Sequence, residues 1–361
     1  MRPKVKWQRV AGYAALSLIL SWRAERMFRT LPRLSCVPAK AGLPSLSIII
    51  PARNEEVNLG RLLPTLKSVT YPGSCEIIVV DDQSSDRTPA VAAGHGAKVI
   101  SLDRLPPGWL GKPYACHNGA LAACGDWLLF TDADTLHASQ GPAQAVSYAL
   151  QHGLDGLSAF LQQESQIGID RLALMVAYAG LFAGQGRNNH LLNGQYILIR
   201  RQAYLESGGF SAVRNNPLED VALGHHLSGL GYRVPAVDGE QLASVCMYNN
   251  FNQIISGMSR LGVGALSWTG PGAITTVLLI TAVMYPWITL YGVLTNQIDR
   301  KWLCASWGAA ALSMLPWARR FGSPRSAWLA PVGGLLVQVA ACWGIANRIL
   351  GRGQTWKGRQ V

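Results

Sequence analysis

The stretch SLSIIIPARNEE, at residues 45–56, decides the fold. Its apolar half, Leu46–Ile50, is short and rich in β-branched residues, which is typical of a buried strand. Similar short runs follow at Glu76–Val80, Ala97–Leu102 and Trp127–Thr131. Polar turn residues close these runs, and the pattern therefore predicts four strands.

Helical patterns separate these strands, at Glu55–Ser68, Thr88–Ala93 and Pro113–Ala123. This alternation predicts an α/β domain with a mostly parallel sheet and helices on both faces. Ligands of such sheets bind outside the carboxyl ends of the strands, so a binding site is expected there.

Carboxylates follow three of the predicted strands. They are Glu55, Glu56, Asp81, Asp82, Asp132 and Asp134. Acidic strand ends that face one crevice repel one another unless a cation or hydrogen-bond donors neutralise them. The pattern therefore predicts a functional site rather than three unrelated polar turns.

The composition excludes two classes of protein. Of the 361 residues, 49% are apolar and 14% are charged, against about 25% charged in ordinary soluble domains. Such a high apolar and low charged content excludes an intrinsically disordered protein. The formal net charge is +12, but residues 44–260 hold 14 Lys/Arg and 18 Asp/Glu, a net charge of −4, and the flanks carry +16. Basic charge beside apolar segments predicts contact with membrane lipids and no binding to nucleic acid.

Apolar segments lie in both flanks. The run Val10–Trp22 has 13 residues, which fits an interfacial anchor or a tilted span. Near the C-terminus, Gly270–Leu294 has 25 uncharged residues and Trp328–Ala346 has 19, and the weaker run Trp302–Ala318 has 17. These runs predict two to three transmembrane helices. Basic residues lie both in the loop before the last run and in the tail, so the side of the tail stays open.

The chain is thus expected to have three parts. Residues 1–43 form a basic segment with a short anchor, 44–260 a catalytic domain, and 261–361 a membrane region with a basic tail.

In combination, the motifs resemble the family 2 glycosyltransferases, whose nucleotide-sugar-binding fold is of the GT-A type. The resemblance rests on SLSIIIPARNEE, on VVDD at residues 79–82 and on the Asp-x-Asp at 132–134, and it covers about residues 44–260. GWLGKPYACHNG at 108–119, GQYILIRR at 194–201 and the ending WKGR at 356–359 resemble the carotenoid and hopanoid-associated branch.

The resemblance implies roles on the donor side. The turn at Pro51, Arg53 and Glu55 corresponds to the cradle of the nucleotide base. Asp82 corresponds to the carboxylate that hydrogen-bonds a uracil-type base, and Asp81 supports it.

The Asp-x-Asp pair corresponds to groups that contact the ribose and a divalent metal. Asp132 and Asp134 are therefore expected to hold Mg²⁺ or Mn²⁺. Lys112, just before a predicted helix start, is expected to contact the diphosphate or else to be a solvated turn lysine.

Asp220 corresponds to the catalytic base, next to Glu219 at the start of a helix predicted at Val221–Leu230. A carboxylate that removes the acceptor proton during attack from behind implies an inverting transfer. Arg260 is expected to contact the diphosphate, but no Trp follows it, unlike the Gln-x-x-Arg-Trp motif of processive synthases. This departure favours transfer of a single sugar.

The expected reaction moves one sugar from a nucleotide sugar, of the UDP-hexose type, to a lipid-soluble isoprenoid in the membrane. A carotenoid hydroxyl or carboxylate ranks first as acceptor, and a hopanoid, another glycolipid or a polyprenyl phosphate remain alternatives. A non-catalytic, nucleotide-sugar-binding membrane subunit is a further alternative. The expected location is the cell (inner) membrane, as a multi-pass protein with its catalytic domain on the cytoplasmic face, where nucleotide sugars are made.

Overall fold

The computed structural model describes residues 7–34, 42–186, 191–267, 271–350, 355–356 and 359–360. The helices are α1 Trp7–Arg29, α2 Glu56–Lys67, α3 Thr88–Gly94, α4 Gly111–Ala122, α5 Gly141–Gln151, α6 Ile169–Gly184, α7 Arg201–Glu206, α8 Glu219–Gly229, α9 Phe251–Ser267, α10 Pro271–Met284, α11 Pro286–Leu294, α12 Arg300–Arg320 and α13 Ala330–Ile349. The strands are β1 Leu46–Ala52, β2 Cys75–Asp81, β3 Lys98–Ser101, β4 Trp127–Thr131, β5 Thr135–His137, β6 Gly156–Phe160, β7 Gln162–Gln163, β8 Tyr196–Arg200, β9 Ala236–Asp238, β10 Ala243–Val245, β11 Thr355–Trp356 and β12 Arg359–Gln360. Short 3₁₀ helices lie at Gly209–Val213 and Pro324–Leu329.

The chain divides into two compact units. The sheet unit comprises Leu31–Gln163 and Asn189–Met247. The helical unit comprises Met1–Thr30, Glu164–Asn188 and Tyr248–Val361. This division differs from the predicted boundaries at 43 and 260, because a segment from the middle of the predicted catalytic domain belongs to the helical unit.

The sheet unit is built on a seven-stranded sheet in the order β3-β2-β1-β4-β8-β6-β9. Its neighbouring strands pair in parallel except β8, which runs antiparallel to β4 and to β6. The prediction of a mostly parallel sheet is confirmed.

Both faces of this sheet are covered, which explains why the strands read as continuous apolar runs. Within β1, Ile48 and Ile50 pack into one hydrophobic core together with Leu62 of α2. Ile49 points to the opposite core, together with Ala115 of α4. The prediction of helices on both faces is therefore confirmed.

The sheet topology brings the carboxyl ends of three strands together at one edge of the sheet. β2, β1 and β4 are neighbours and run in parallel, so their carboxyl ends lie side by side. The antiparallel strand β8 begins where β4 ends, since Tyr196 pairs with Thr131. This edge holds the candidate site.

Two helices at this edge begin about two residues earlier than predicted. α4 begins at Gly111, so Lys112 lies inside its first turn. The helix tolerates Pro113 because first-turn N–H groups have no partner within a helix. α8 begins at Glu219, which places both Glu219 and Asp220 in the first turn.

The helical unit packs closely through small residues. A Cβ atom on Gly184 of α6 would lie 2.5 Å from the carbonyl oxygen of Gly272 in α10. One turn away, Thr276 Oγ1 donates a hydrogen bond of 2.8 Å to the carbonyl oxygen of Gly180. Small residues spaced by four let two helix backbones approach in this way, which is common among membrane helices.

Among the described residues, two helical segments are long and apolar enough to cross a membrane, Pro271–Leu294 and Pro324–Ile349. They coincide with two of the predicted spans. The third predicted run lies in α12, which begins and ends with basic residues and is not among these segments. Val10–Trp22 lies inside the longer helix α1, and that helix is also not among them.

Candidate active site

The Asp-x-Asp pair lies in a tight turn directly after β4. The hydroxyl of Thr135 donates a hydrogen bond of 2.7 Å to the carbonyl oxygen of Asp132. The backbone N–H of Cys246, just after β10, donates to the carbonyl oxygen of Asp134 at 3.1 Å. Hydrogen bonds to the two backbone carbonyl groups thus hold the turn, and neither carboxylate takes part in them.

Asp134 carries an unsatisfied buried oxygen. Its Oδ1 atom has no hydrogen-bond partner in the part of the chain that the structure describes. Burial, followed by the negative charge of Asp132, raises the pKa of Asp134, and Lys112 offsets part of this rise. A buried carboxylate oxygen without a donor is what a hard divalent cation would satisfy, so the pair fits the predicted metal.

No cluster of three or more His, Cys, Asp or Glu side chains with metal-binding geometry lies in the described residues. A cation held by Asp132 and Asp134 would therefore need further ligands of another kind, such as a diphosphate or water.

Lys112 connects the two acidic motifs of the site. Its Nζ atom lies 2.6 Å from Asp132 Oδ1 and 3.7 Å from Glu219 Oε1. Burial lowers the pKa of this lysine, but the charges of Asp132 and Glu219 outweigh burial, and the pKa lies above its ordinary value. The group is therefore a charged ammonium, and it is not the solvated turn lysine that the sequence left open.

Asp220, the predicted base, is held by two backbone donors. The N–H of Gly194 donates to Asp220 Oδ2 at 2.8 Å, and the N–H of Val221 donates to Oδ1 at 2.8 Å. Each carboxylate oxygen thus accepts one hydrogen bond, which fixes the plane of the carboxylate.

Gly194 is a site residue to which the sequence analysis assigned no role. It lies just before β8, at the edge where β4 ends. A Cβ atom at this position would lie 3.0 Å from Lys112 Nζ and 3.1 Å from Asp220 Oδ2. The absence of a side chain therefore allows Lys112 and Asp220 to lie close to the same point.

A buried polar network supports the Asp-x-Asp turn from behind, and the sequence analysis missed it too. Thr131 Oγ1 lies 2.8 Å from Thr135 Oγ1 and 3.0 Å from His137 Nε2. Burial lowers the pKa of His137 to about 4, so the ring is neutral at neutral pH. In the sequence, Thr131, Thr135 and His137 are only a weak signal of such a network, since these residue types also occur on ordinary strands.

The predicted base cradle is organised by Arg53. Its Nη1 atom donates to the carbonyl oxygens of Asp82 and Gln83, at 2.6 Å and 3.2 Å, and so ties the turn after β1 to the turn after β2. Asn54 and Gln83 have φ angles of 53° and 58°, in the left-handed region. Asp81 and Asp82 are buried at the end of β2.

The remaining predicted residues of the cradle lie beside it. Pro51 pairs with Val80 across β1 and β2. Glu55 precedes α2, and its Oε2 atom accepts a hydrogen bond of 2.7 Å from Asn58 Nδ2.

Two predictions lie elsewhere. Arg260 belongs to α9 in the helical unit, so its contact with a diphosphate stays a prediction. Within the C-terminal WKGR motif, Lys357 and Gly358 lie outside the described residues.

The mostly parallel sheet, with its Asp-x-Asp turn and a second carboxylate pair at the same edge, is a GT-A glycosyltransferase fold. The chain is similar in structure, over 92% of its own length, to a mannosyltransferase from Pyrobaculum calidifontis that was solved with GDP-Man and Mn²⁺. The TM-score is 0.56, the identity is 18% and 96% of that chain is covered, so the likeness concerns the fold.

Residues 47–208 match the family model described as Glycosyl transferase family 2. This match covers less than half of the chain.

The chain is also similar in sequence to two curated proteins from Staphylococcus. The chain is 30% identical over 256 residues to the 4,4'-diaponeurosporenoate glycosyltransferase of Staphylococcus haemolyticus, with 65% of each chain covered. It is 29% identical over 241 residues to the protein of the same name from Staphylococcus aureus, covering 61% of this chain and 62% of that one. The match thus spans less than two thirds of the length of these relatives.

Proposed function

We propose that this chain is an inverting glycosyltransferase that moves a single sugar from a nucleotide sugar, of the UDP-hexose type, to a membrane-dissolved carotenoid. The printed name of the Staphylococcus relatives supports the carotenoid acceptor. The mannosyltransferase solved with GDP-Man and Mn²⁺ supports a nucleotide sugar as donor and a divalent cation.

One observation carries the proposal. Lys112 and Gly194 bring the Asp-x-Asp pair and the base pair into one cluster, since Lys112 Nζ contacts both Asp132 and Glu219. Donor-holding and proton-accepting carboxylates must meet at the reacting carbon, so their proximity is what sugar transfer requires.

The donor base would rest on the cradle between the ends of β1 and β2. Asp82 would accept a hydrogen bond from a uracil-type base, and Asp81 supports that turn by accepting the N–H of Ser84 at 3.2 Å. Arg53 holds both turns in register.

Asp132 and Asp134 would hold Mg²⁺ or Mn²⁺, since their hard oxygens suit these ions. When bound, the ion supplies positive charge that stabilises the diphosphate as it leaves. The ammonium of Lys112 lies within reach of both Asp132 and Glu219 and adds positive charge to the same edge of the site.

Asp220 would act on the acceptor. As a hydroxyl oxygen bonds to the anomeric carbon from behind, the bond from that carbon to the phosphate oxygen breaks. The hydroxyl proton passes to the Asp220 carboxylate, and the nucleoside diphosphate leaves. A carboxylate acceptor is already ionised at neutral pH and has no proton to give.

The helical unit suits an acceptor dissolved in lipid. Both candidate spans expose large apolar side chains, including Ile274, Tyr291 and Trp343. Exposed apolar and Trp side chains of this kind match lipid tails and the membrane interface. We place the chain in the inner membrane as a multi-pass protein, with the sheet unit on the cytoplasmic side, where nucleotide sugars are made.

Pigment and lipid profiles of a strain that lacks this gene test the acceptor. We expect one unglycosylated carotenoid to accumulate and its glycoside to disappear, with recovery on re-expression. Loss of a hopanoid glycoside, another glycolipid or a glycosylated polyprenyl phosphate would replace the carotenoid by that acceptor. An unchanged profile would contradict the proposal.

A further inference from the structure

The ammonium of Lys112 forms an ion pair with one of the two carboxylates that fit a divalent cation. Its Nζ atom lies 2.6 Å from Asp132 Oδ1, a full ion pair, whereas Glu219 Oε1 lies at 3.7 Å. A cation that takes Asp132 as a ligand therefore meets a positive charge already bound there. Both cannot keep the same oxygen at these distances without strong repulsion.

The structure offers the ammonium a second partner. The side chain of Glu219 is only 8% exposed, so its carboxylate has little access to water and favours a nearby cation. The carbonyl oxygen of Gly194 lies 3.5 Å from Lys112 Nζ and stays available as a third contact. A movement of about 1 Å would bring the ammonium into a close pair with Glu219.

We propose that Lys112 is a tethered counter-ion that competes with the divalent cation for Asp132 and moves towards Glu219 when the cation binds. This inference rests on the proposed function and assigns a positioning role to Glu219. Glu219 precedes the base Asp220 in the first turn of α8, so the movement reports occupancy of the cation site to the helix that carries the base.

Binding of Mn²⁺ alone, without nucleotide, to the purified full-length protein tests this competition. The loss of the free Mn²⁺ signal in electron paramagnetic resonance gives the affinity directly. Lys112→Gln removes the competing charge, and we expect Mn²⁺ to bind about tenfold more tightly or better. Lys112→Arg keeps the charge and should bind Mn²⁺ as the wild type does within about threefold, as should Lys67→Gln on the exposed end of α2.

A double-mutant cycle separates a positioning role of Glu219 from its bulk charge. Glu219→Gln leaves the ammonium with Asp132, so Mn²⁺ binding should weaken about tenfold in the presence of Lys112. In the Lys112→Gln background the same change should weaken it by less than about threefold. Equal weakening in both backgrounds would overturn the inference.

The remaining outcomes are also decisive. Unchanged or weaker Mn²⁺ binding by a folded Lys112→Gln protein would overturn this inference and leave the proposed cation site intact. Failure of the wild type and all variants to bind Mn²⁺ at millimolar concentration, with added UDP as well as without it, would overturn the cation site itself. Thermal unfolding checks the fold, and Lys112→Met, which keeps the aliphatic stem, replaces Lys112→Gln if that variant does not fold.

Discussion

Asp220→Asn should remove turnover and leave donor binding largely intact. Asp82, Asp132 and Asp134 would contact the donor before reaction, whereas Asp220 would contact the acceptor as its proton leaves. The amide keeps the shape of the side chain but cannot accept that proton. General base catalysis contributes about 10²–10⁴-fold, which is about 2.7–5.4 kcal/mol of transition-state stabilisation.

The structure also sets a cost in stability for this change. Both oxygens of Asp220 accept a backbone N–H, from Gly194 and from Val221. Asparagine has one oxygen, so one N–H loses its acceptor and faces an NH₂ group. Leaving one such donor unsatisfied costs about 1–3 kcal/mol, which thermal unfolding measures separately from turnover.

The assay compares donor affinity, from titration with the nucleotide sugar, with turnover on the same preparation. Asp126→Asn is the matched control, because Asp126 also accepts a backbone N–H, from Ser45 at 3.1 Å, but precedes β4 at the opposite edge of the sheet. We expect the control to keep its turnover. If Asp220→Asn keeps more than about a third of wild-type turnover on a hydroxyl acceptor, Asp220 is not the base, and Glu219 becomes the first candidate.

A matched pair of acceptors sharpens this prediction. On a carotenoid alcohol the loss in Asp220→Asn should reach about 10²–10⁴-fold. On the corresponding carotenoid acid, which is ionised at neutral pH, it should stay below about tenfold. Equal losses on both acceptors would show that Asp220 acts through structure rather than through proton transfer.

Three further outcomes are expected. Exhaustive EDTA treatment should abolish turnover, and Mg²⁺ or Mn²⁺ should restore it better than Zn²⁺ because carboxylate oxygens such as those of Asp134 are hard ligands; full turnover after EDTA would exclude the cation. Gly194→Ala should lower turnover about tenfold or more, because its Cβ would crowd Lys112 and Asp220, whereas Gly60→Ala, with nothing within 4 Å, should not; normal turnover of Gly194→Ala would refute this packing argument. Cell fractionation should place the protein in the membrane pellet after an alkaline carbonate wash, and its release would contradict membrane spans.

The position of the donor-side carboxylates at the strand ends was predictable from sequence because the signals are local, whereas their roles stay predictions. Each carboxylate of Asp81, Asp82, Asp132 and Asp134 directly follows a buried apolar run, and parallel neighbours bring such ends together. The place of Asp220 at a helix start is likewise a local feature, whereas its role as base comes from the resemblance and stays a prediction.

The rest of the site depends on contacts between distant segments. Gly194 reaches the site only because β8 runs antiparallel to β4. No local sequence pattern predicts the direction of that strand. Lys112 joins Asp132 to Glu219 across about one hundred residues of sequence, so its partners follow from the fold and not from its neighbours.

The division of the chain into two units was also not predictable from the sequence. The segment Glu164–Asn188 lies between β7 and β8 in sequence, but it belongs to the helical unit. Its apolar helix α6 is buried through contacts such as that of Gly184 with Gly272, which are almost ninety residues apart. A reading of local periodicity cannot assign a helix to one unit or the other when both units need apolar helices.

The most direct test of the account is sugar transfer by the purified full-length chain in liposomes. The assay contains radiolabelled UDP-glucose, Mn²⁺ and a carotenoid dissolved in the bilayer, with Asp220→Asn as the inactive control on a carotenoid alcohol. We predict a labelled carotenoid that carries one sugar, with the anomeric configuration inverted relative to the donor as read by nuclear magnetic resonance. A polymer, a retained configuration, or release of free glucose with no labelled carotenoid would contradict the account.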